Sequence, residues 1–477
     1  MGRSDFLYSG FLSHLKHVPT SCQDALLRKV ADFVSTDDDD ILVVNGYAGT
    51  GKTSIMAALV QSLKQLNQRF VLLAPTGRAA KVLSRYAGYP AYTIHKFIYR
   101  QKQLGEEVFT LNDNLHKHTL FIIDEASMIS GVREAHGFGS GMLLDDLVKY
   151  VYSGEGCSLL TLGDDAQLPP VGSIVSPALQ IDYMLGYQLD ITSHTLTQVA
   201  RQALDSGILH NATKLRDLAL GTTLPKEQNE VEELWRILEE KSDIRTIPNQ
   251  ELQELIETAH SEVGEEETIL LTRTNKRTNI YNQGIRARIL WREDEISSGD
   301  RIMISKNNYF WTEKYENLPF LANGDMLEIV RLRNMREMYG YRFVDAQLRA
   351  LDYDWEIDAV LWIDTLYSDS PEATQTMQRD IFSKIAEDYP ELQRNKKELV
   401  KTIYQSPYYN ALQMRFAYAI TGHKSQGGQW KRVFIDPYIG GSQPQPNGNH
   451  NEDARSFYRW IYTAITRATE QVYILKA

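Results

Sequence analysis

The sequence predicts an α/β fold with two parallel sheets, covering helices and a β-rich insertion in the second half. Short apolar runs separated by helical stretches are typical of buried parallel strands. In the first two hundred residues they are residues 41–45, 71–74, 119–123 and 159–162. A second set predicts another parallel sheet and comprises residues 269–272, 433–435 and 472–475.

Residues 296–405 have a different pattern and are expected to be inserted into the second α/β unit. Gly299-Asp300 and Asn323-Gly324 are turn pairs among alternating apolar runs, which favours β-hairpins. Helical patterns follow at about residues 371–389 and 391–402. Residues 351–400 hold twelve acidic and five basic side chains. That excess of negative charge disfavours binding of an anionic polymer. It indicates a surface for a protein partner or an ordinary solvated face.

Length and composition indicate a globular protein of two or three domains, since 477 residues exceed one typical core. Cys22 and Cys157 lie far apart, so neither a disulfide framework nor a cysteine zinc site is expected. No apolar run approaches the roughly 18 residues that a membrane span needs. With no signal peptide pattern at the start of the sequence, the chain is expected to be cytoplasmic and away from membranes.

The charge distribution favours a nucleic-acid partner although the formal net charge is -11. Residues 64–103, 268–292 and 399–435 carry eight, six and five basic side chains and no acidic one. Lysine and arginine contacts to phosphates dominate nucleic-acid affinity, so the distribution matters more than the total. One charged groove on an acidic body is expected. The alternative is three unrelated solvated faces.

A phosphate-binding loop is predicted between the first apolar run and the helical pattern of residues 54–66. Residues 46–53 read Gly-Tyr-Ala-Gly-Thr-Gly-Lys-Thr, which fits the P-loop pattern in its required context. Backbone N–H groups of such a loop surround phosphates at a helix N-terminus. Lys52 is expected to reach the β- and γ-phosphates of ATP and Thr53 to bind Mg²⁺. The other expected ATP-binding residues of the loop are Gly46, Ala48, Gly49, Thr50 and Gly51.

Polar side chains at the ends of two further apolar runs complete the predicted ATP site. Asp124 and Glu125 follow residues 119–123, at the sheet edge where the P-loop also lies. We expect Asp124 to hold the Mg²⁺ shell and Glu125 to orient and deprotonate the attacking water. Gln167, in the loop after residues 159–162, is predicted to sense the γ-phosphate. A solvent-facing loop glutamine is the alternative for Gln167.

Nine short segments occur in an order that carries a family resemblance. They are residues 46–53 (motif I), 74–80 (Ia), 93–97 (Ib), 124–127 (II), 163–170 (III), 200–202 (IV), 274–277 (IVa), 421–427 (V) and 462–468 (VI). In this order and composition they resemble the superfamily 1B DNA helicases of the RecD and Dda type. The resemblance spans nearly the whole chain.

The resemblance implies two RecA-like domains, with ATP in the cleft between them and single-stranded DNA across the top. Domain 1A is expected at residues 1–97 and 119–200, and domain 2A at residues 201–295 and 406–477. A hairpin domain 1B is expected at residues 98–118. An SH3-like domain 2B with an acidic helical extension is expected at residues 296–405. Movement along DNA in this branch is 5′ to 3′.

The resemblance also assigns roles to cationic and amide side chains. Arg467 in motif VI is expected to be the arginine finger and Arg201 in motif IV a second cationic contact. Because Arg467 belongs to the second domain, hydrolysis is expected to require cleft closure. Gln23 stands where the family reads adenine, but Thr20-Ser-Cys-Gln23 also fits a helix capping box.

The DNA track is expected to follow motifs Ia, Ib, IVa and V, which fall inside the three acid-free stretches. Phe97 is a candidate for stacking on bases, with a core position as its alternative; Tyr281 is favoured as core. The other expected contacts are Pro75, Thr76, Gly77, Thr93, His95, Thr272, Asn275, Thr421, His423 and Lys424.

The predicted function is that of an ATP-dependent DNA helicase that acts at junctions of single-stranded and duplex DNA, as a monomer. Two alternatives remain: a motor subunit of a larger recombination, replication or repair complex, and a DNA-stimulated ATPase scaffold that does not unwind. Intact Lys52, Glu125, Gln167, Arg201 and Arg467 disfavour a scaffold with a dead nucleotide site. A P-loop kinase or GTPase is disfavoured, because that class does not account for a second predicted sheet that carries Arg467.

Overall fold

A computed structural model gives the fold of most of the chain. The structure describes residues 2–36, 40–101, 109–133, 138–199, 205–221, 230–312, 314–315, 318, 320–352, 355–368, 371–438 and 450–476.

The first half of the chain forms a parallel six-stranded sheet in the order β3-β2-β6-β7-β1-β8. Its strands are β1 (Ile41–Gly46), β2 (Phe70–Ala74), β3 (Ala91–Thr93), β6 (Leu120–Ile123), β7 (Ser158–Gly163) and β8 (Ile191–Leu196). The accompanying helices are α1 (Arg3–His14), α2 (Ser21–Ser35), α3 (Lys52–Gln65), α4 (Gly77–Ala87), α5 (Ile94–Ile98), α6 (Leu143–Tyr152) and α7 (Ile181–Met184).

Both faces of this sheet are buried, which explains the continuous apolar runs of its strands. Leu42 and Val44 of β1 face one core cluster, which α1, α2 and α3 complete. Ile41 and Val43 face the other, which includes α6. Successive side chains of a strand point to opposite faces of the sheet, so one apolar run contributes to both core clusters.

The second half contains a parallel five-stranded sheet in the order β16-β10-β17-β18-β9. Its strands are β9 (Ile244–Pro248), β10 (Thr268–Thr272), β16 (Ala419–Thr421), β17 (Trp430–Asp436) and β18 (Ala468–Lys476). The helices around it are α8 (Gly207–Ala219), α9 (Glu230–Ile237), α10 (Leu252–Val263), α11 (Asn275–Arg288), α14 (Gly422–Ser425) and α15 (His450–Ile465).

An antiparallel five-stranded sheet is inserted into this second unit, in the order β14-β13-β12-β11-β15. Its strands are β11 (Arg301–Ile304), β12 (Met326–Met338), β13 (Tyr341–Ala350), β14 (Glu356–Trp362) and β15 (Met414–Phe416). Helices α12 (Pro371–Glu387) and α13 (Lys396–Tyr404) pack on it. The insertion shares a core cluster with the parallel sheet, through residues such as Leu270 and Leu348.

A small antiparallel pair, β4 (Tyr99–Gln101) and β5 (Phe109–Leu111), lies where the hairpin domain was expected. The residues between its strands, 102–108, are outside the described ranges.

The predicted fold class is confirmed, and each predicted strand run lies within or next to an observed strand. The insertion ends later than predicted: β15 pairs with β11 of the inserted sheet, beyond the boundary expected at residue 405. A three-residue strand carries too little pattern to be recognised before its partner is known. The SH3 likeness of the insertion stays a prediction.

Candidate nucleotide site and nucleic-acid track

The P-loop connects β1 to α3 and has the backbone that a phosphate cradle needs. Gly49 and Gly51 have φ angles of 75° and 86°, in the left-handed region that favours glycine. Gly51 caps α3, so the free N–H groups of its first turn point into the cleft. Thr53 in that turn is exposed, as a residue predicted to bind Mg²⁺ must be. Thr50, in contrast, is buried, and its hydroxyl donates to the Tyr47 carbonyl at 2.7 Å.

Lys52 is held inside the loop rather than extended into solvent. Its ammonium group donates to the carbonyl oxygens of Gly46 and Tyr47, the latter at 3.1 Å. The same nitrogen lies 3.7 Å from Asp164 Oδ2. The nearest acidic partner of the lysine therefore comes from the loop after β7, and a phosphate must compete with it.

Asp124 and Glu125 leave β6 beside the P-loop, as predicted. The Asp124 carboxylate accepts hydrogen bonds from the Tyr86 hydroxyl and, at 2.9 Å, from the Glu125 N–H. Glu125 has a φ of 53°, which turns the chain sharply after the strand. Burial raises the pKa of both carboxyl groups above their usual values. A raised pKa suits a general base working near neutral pH.

Gln167 is buried in the loop that follows β7, so the solvent-facing alternative is wrong. It is 3% exposed, and its side-chain oxygen Oε1 has no hydrogen-bond partner among the described residues. An unpaired buried amide oxygen is uncommon, and this one is able to accept a hydrogen bond from a bound ligand. Its predicted role as a γ-phosphate sensor stays a prediction.

Arg467 reaches the nucleotide site from the second sheet. One guanidinium nitrogen, Nη1, lies 3.8 Å from Glu125 Oε1. The side chain is buried and also donates to the Thr463 carbonyl at 3.1 Å. The predicted finger and the predicted base are thus brought together across the two sheets. Arg201, the second predicted cation, lies outside the described residues.

Gln23 shows the capping box that the sequence left open as an alternative to adenine contact. Its Oε1 accepts from the Thr20 N–H at 2.9 Å, and its backbone N–H donates to Thr20 Oγ1 at 3.2 Å. The side-chain amide also donates to the Thr50 carbonyl at 2.9 Å. Both amide atoms are therefore engaged, and Gln23 ties α2 to the P-loop. Adenine contact stays a prediction.

The predicted DNA contacts cluster at the carboxyl ends of four strands. Motifs Ia and Ib follow β2 and β3, which form one edge of the first sheet. Motifs IVa and V follow β10 and β16, at one edge of the second sheet. The ATP-site motifs I, II and III follow β1, β6 and β7, nearer the other edge of the first sheet. In the first sheet, the predicted DNA contacts and the predicted ATP site therefore lie at the ends of different strands.

The polar candidates on this track differ in accessibility. Pro75 and Thr76 are half-buried, Gly77 is buried, Asn275 and His423 are exposed, and Thr421 is half-buried. Thr76 and Thr93 cap α4 and α5 by accepting from Ala79 N–H and Lys96 N–H. Thr272 is completely buried, and its hydroxyl is hydrogen-bonded to Thr274 and Thr278. In this conformation its side chain is therefore not accessible to a DNA strand.

Phe97 and His95 pack against the protein rather than standing free. Phe97 stacks on His116 at a ring-centroid distance of 5.6 Å and meets Phe121 edge-on at 6.2 Å. His95 lies 5.1 Å from the Phe138 ring, and burial lowers its pKa to about 4. A neutral, packed His95 is a hydrogen-bonding group at most and adds no charge to the track. Tyr281 packs against the core, as favoured.

The charged groove is smaller than the count of basic residues suggested. Among the described residues, at least seven basic side chains of the acid-free stretches pair with carboxylates brought from elsewhere in the chain. Asp300, for example, pairs with both Arg286 and Arg292 at 2.8 Å. Lys424 donates to Asn323 of the insertion, and burial lowers its pKa to about 8. The expectation of one continuous groove is therefore only partly met.

Several contacts between the halves of the molecule were not predicted, and two of them lie at matched motifs. The Arg78 guanidinium lies over the Trp430 ring, 3.9 Å from its centroid, and donates to the Gln429 carbonyl at 3.2 Å. Tyr462, the first residue of motif VI, bonds to the P-loop. Its place at the head of that motif was the available signal.

Within the described part of the chain, no group of three or more His, Cys, Asp or Glu side chains could hold a metal ion on its own. None of the described helices is both long and apolar enough to cross a membrane.

Comparison with known proteins agrees with the motifs. The family described as an AAA domain matches residues 23–233, and the family described as a UvrD-like helicase C-terminal domain matches residues 416–475. The chain is 30% identical over 173 residues to the ATP-dependent RecD2 DNA helicase of Deinococcus radiodurans, covering 36% of this chain and 21% of the relative. It is 28% identical over 185 residues to the ATP-dependent DNA helicase dda of Enterobacteria phage T4, covering 37% and 38%. These findings confirm the resemblance to superfamily 1B helicases.

The lengths of the relatives vary. An uncharacterized protein, R530 of Acanthamoeba polyphaga mimivirus, is 24% identical over 528 aligned residues, which cover 94% of this chain and 98% of that protein. The chain spans only about a fifth to two fifths of the RecD2 and dda helicases. A solved structure of Bacteroides Pif1 bound to ssDNA is similar at a TM-score of 0.48 and 14% identity, over 96% of this chain and 92% of that one.

Proposed function

We propose that this protein is an ATP-dependent DNA helicase that moves 5′ to 3′ on single-stranded DNA and unwinds duplex. The observation that carries the proposal is the 3.8 Å pair between Arg467 and Glu125 across the two parallel sheets. A base from one domain and a cation from the other form a complete hydrolytic site only when the cleft is closed. Hydrolysis then alternates closure and opening, which is what a stepping motor requires.

ATP with Mg²⁺ is the proposed cofactor. Lys52 and the first turn of α3 would hold the phosphates, while Thr53 and Asp124 would hold the metal ion, which neutralises charge on the phosphates. Glu125 would take a proton from the attacking water, helped by its raised pKa. Arg467 would stabilise the charge that spreads over the γ-phosphoryl oxygens in the transition state.

Single-stranded DNA is the proposed track, supported by the placement of motifs Ia, Ib, IVa and V at two sheet edges. Asn275 and His423 are its accessible polar groups, and Thr76 and Lys424 are partly accessible. When the cleft opens and closes, the two edges move relative to each other. A strand held by both edges would then be moved along.

The hairpin of β4 and β5 is the proposed wedge that splits the duplex. Its predicted tip, Gly105-Glu106-Glu107-Val108, lies outside the described residues, but its base is firmly anchored. Phe109 of β5 packs on Tyr309 of the insertion at 4.7 Å and on Phe138 at 4.7 Å, and Phe320 completes the cluster. Opening a base-pair step costs about 1.4 kcal/mol of stacking. A hairpin fixed to two domains can resist that load.

The direction of movement is proposed from the family resemblance alone. Strand displacement on matched duplexes with a 5′ or a 3′ single-stranded tail, with and without ATP, tests both unwinding and direction. We expect ATP-dependent displacement on the 5′-tailed duplex only. Displacement confined to the 3′-tailed duplex would overturn the direction, and ATP hydrolysis on DNA without any displacement would support the scaffold instead.

A further inference from the structure

The hydroxyl group of Tyr462 joins the second domain to the P-loop. Tyr462 lies in α15 and is 1% exposed. Its oxygen accepts a hydrogen bond from the Ala48 N–H at 2.9 Å, and its O–H donates to Asp164 Oδ2 at 2.6 Å. One phenol thus connects three elements: the motif VI helix, the P-loop and the loop after β7.

Asp164 extends this connection to the phosphate-binding lysine. Its Oδ2 atom, which accepts from Tyr462, lies 3.7 Å from Lys52 Nζ. The other carboxylate oxygen accepts from the Ala166 N–H at 3.1 Å. Burial and the neighbouring Asp164 raise the pKa of Tyr462 well above its ordinary value, so the phenol keeps its proton and donates at every working pH.

The same helix face makes further contacts to the first domain. Thr463 Oγ1 accepts from the Leu168 N–H at 2.9 Å, which fixes the loop that carries Gln167. Arg467 follows just past the end of α15 and lies beside Glu125. Because an α-helix transmits a displacement along its length, an undocked Tyr462 would also leave Arg467 less well placed.

We infer that Tyr462 is a positioning residue for hydrolysis: its hydroxyl docks the motif VI helix on the P-loop and Asp164, and so aligns Arg467 with the reacting phosphate. The inference rests on the proposed ATPase function. It concerns the closed cleft rather than nucleotide capture: Tyr462 occupies the Ala48 N–H, which was expected to contact ATP, so in this conformation the phosphates are left the N–H groups of residues 49–53.

The expected effect of Tyr462→Phe is a fall in DNA-stimulated kcat of between about tenfold and hundredfold. That range corresponds to the loss of a hydrogen bond to a charged group. The affinity for a fluorescent ADP analogue should change less than about twofold. A purely structural role would lower the melting temperature and both quantities together.

The test compares wild type, Tyr462→Phe and the matched control Tyr458→Phe. Tyr458 lies one turn earlier in the same helix, is equally buried, and makes no contact with the P-loop among the contacts described. Thermal melting checks the fold of each variant. If Tyr462→Phe does not fold, Asp164→Asn carries the test, since it weakens the same hydrogen bond by making the acceptor of the Tyr462 hydroxyl neutral at constant volume.

A lower kcat with unchanged ADP affinity, absent in Tyr458→Phe, supports the inference. An unchanged kcat in Tyr462→Phe, or an equal fall in Tyr458→Phe, overturns it while the proposed function stands. A wild type that hydrolyses no ATP on DNA overturns the proposed function, and this inference with it.

Discussion

Replacing Arg467 with alanine removes the only described side chain of the second sheet that pairs with Glu125. Stabilisation of the γ-phosphoryl transition state by such an arginine is worth about 10³ to 10⁵ in kcat, or roughly 4 to 7 kcal/mol. We therefore expect DNA-stimulated kcat to fall by at least about a thousandfold. The KM for ATP should change little, because the phosphate-binding loop lies in the other domain.

The pH dependence of the residual activity provides a second readout. The positive charge of Arg467 lowers the pKa of Glu125 against the opposing effect of burial. Without that charge the pKa of Glu125 rises further, and the base is protonated at a higher pH. The acid limb of the kcat profile should therefore move to higher pH in Arg467→Ala.

Steady-state ATPase measurements with saturating single-stranded DNA test this reasoning. Arg455→Ala, which changes an exposed arginine of α15, the helix that ends just before Arg467, is the matched control and should keep wild-type kcat. Arg467→Lys should recover little, because lysine lacks the planar pair of donors. A fall of less than about tenfold in Arg467→Ala would refute the assignment of this residue as the finger.

Three further outcomes are expected. Lys52→Ala and Glu125→Gln should both abolish ATP turnover, but only Lys52→Ala should lose ATP affinity in a filter-binding assay. Near-normal hydrolysis by Glu125→Gln would contradict the role of Glu125 as the general base. Binding to single-stranded DNA should weaken with salt at a log–log slope near -0.7 per phosphate contact; a flat response would exclude an electrostatic track. Replacing residues 103–108 with a Gly-Ser linker, which keeps the buried Phe109, should leave DNA-stimulated ATPase largely intact and stop unwinding of 5′-tailed duplexes. Unwinding at wild-type speed would place the wedge elsewhere.

Local patterns predicted the strands and the P-loop because both depend on neighbouring residues. A strand buried on both faces needs a continuous apolar run, as in residues 41–45 and 269–272. Gly51 before Lys52 was recognisable because the left-handed turn into α3 favours glycine. Asp124 and Glu125 could be placed because parallel strands end at a common edge.

Contacts between distant parts of the chain could not be predicted in the same way. Arg286 and Arg292 were counted among the basic residues of the predicted groove, but in the folded chain both form ion pairs with Asp300. Thr272 comes just before motif IVa, yet its position at the buried end of β10 hides its hydroxyl. The hydrogen bond from the Ala48 N–H to the Tyr462 hydroxyl joins residues more than four hundred positions apart. The place of Tyr462 in motif VI indicated the site, but its partner could not be predicted.

The central claim is that ATP hydrolysis between the two domains drives movement along single-stranded DNA. Displacement of streptavidin from biotinylated oligonucleotides measures this movement directly, without a duplex or a wedge. We expect ATP-dependent release of streptavidin from the 3′ end, no release from the 5′ end, and loss of release in Arg467→Ala. ATP hydrolysis stimulated by DNA with no release from either end would contradict the claim.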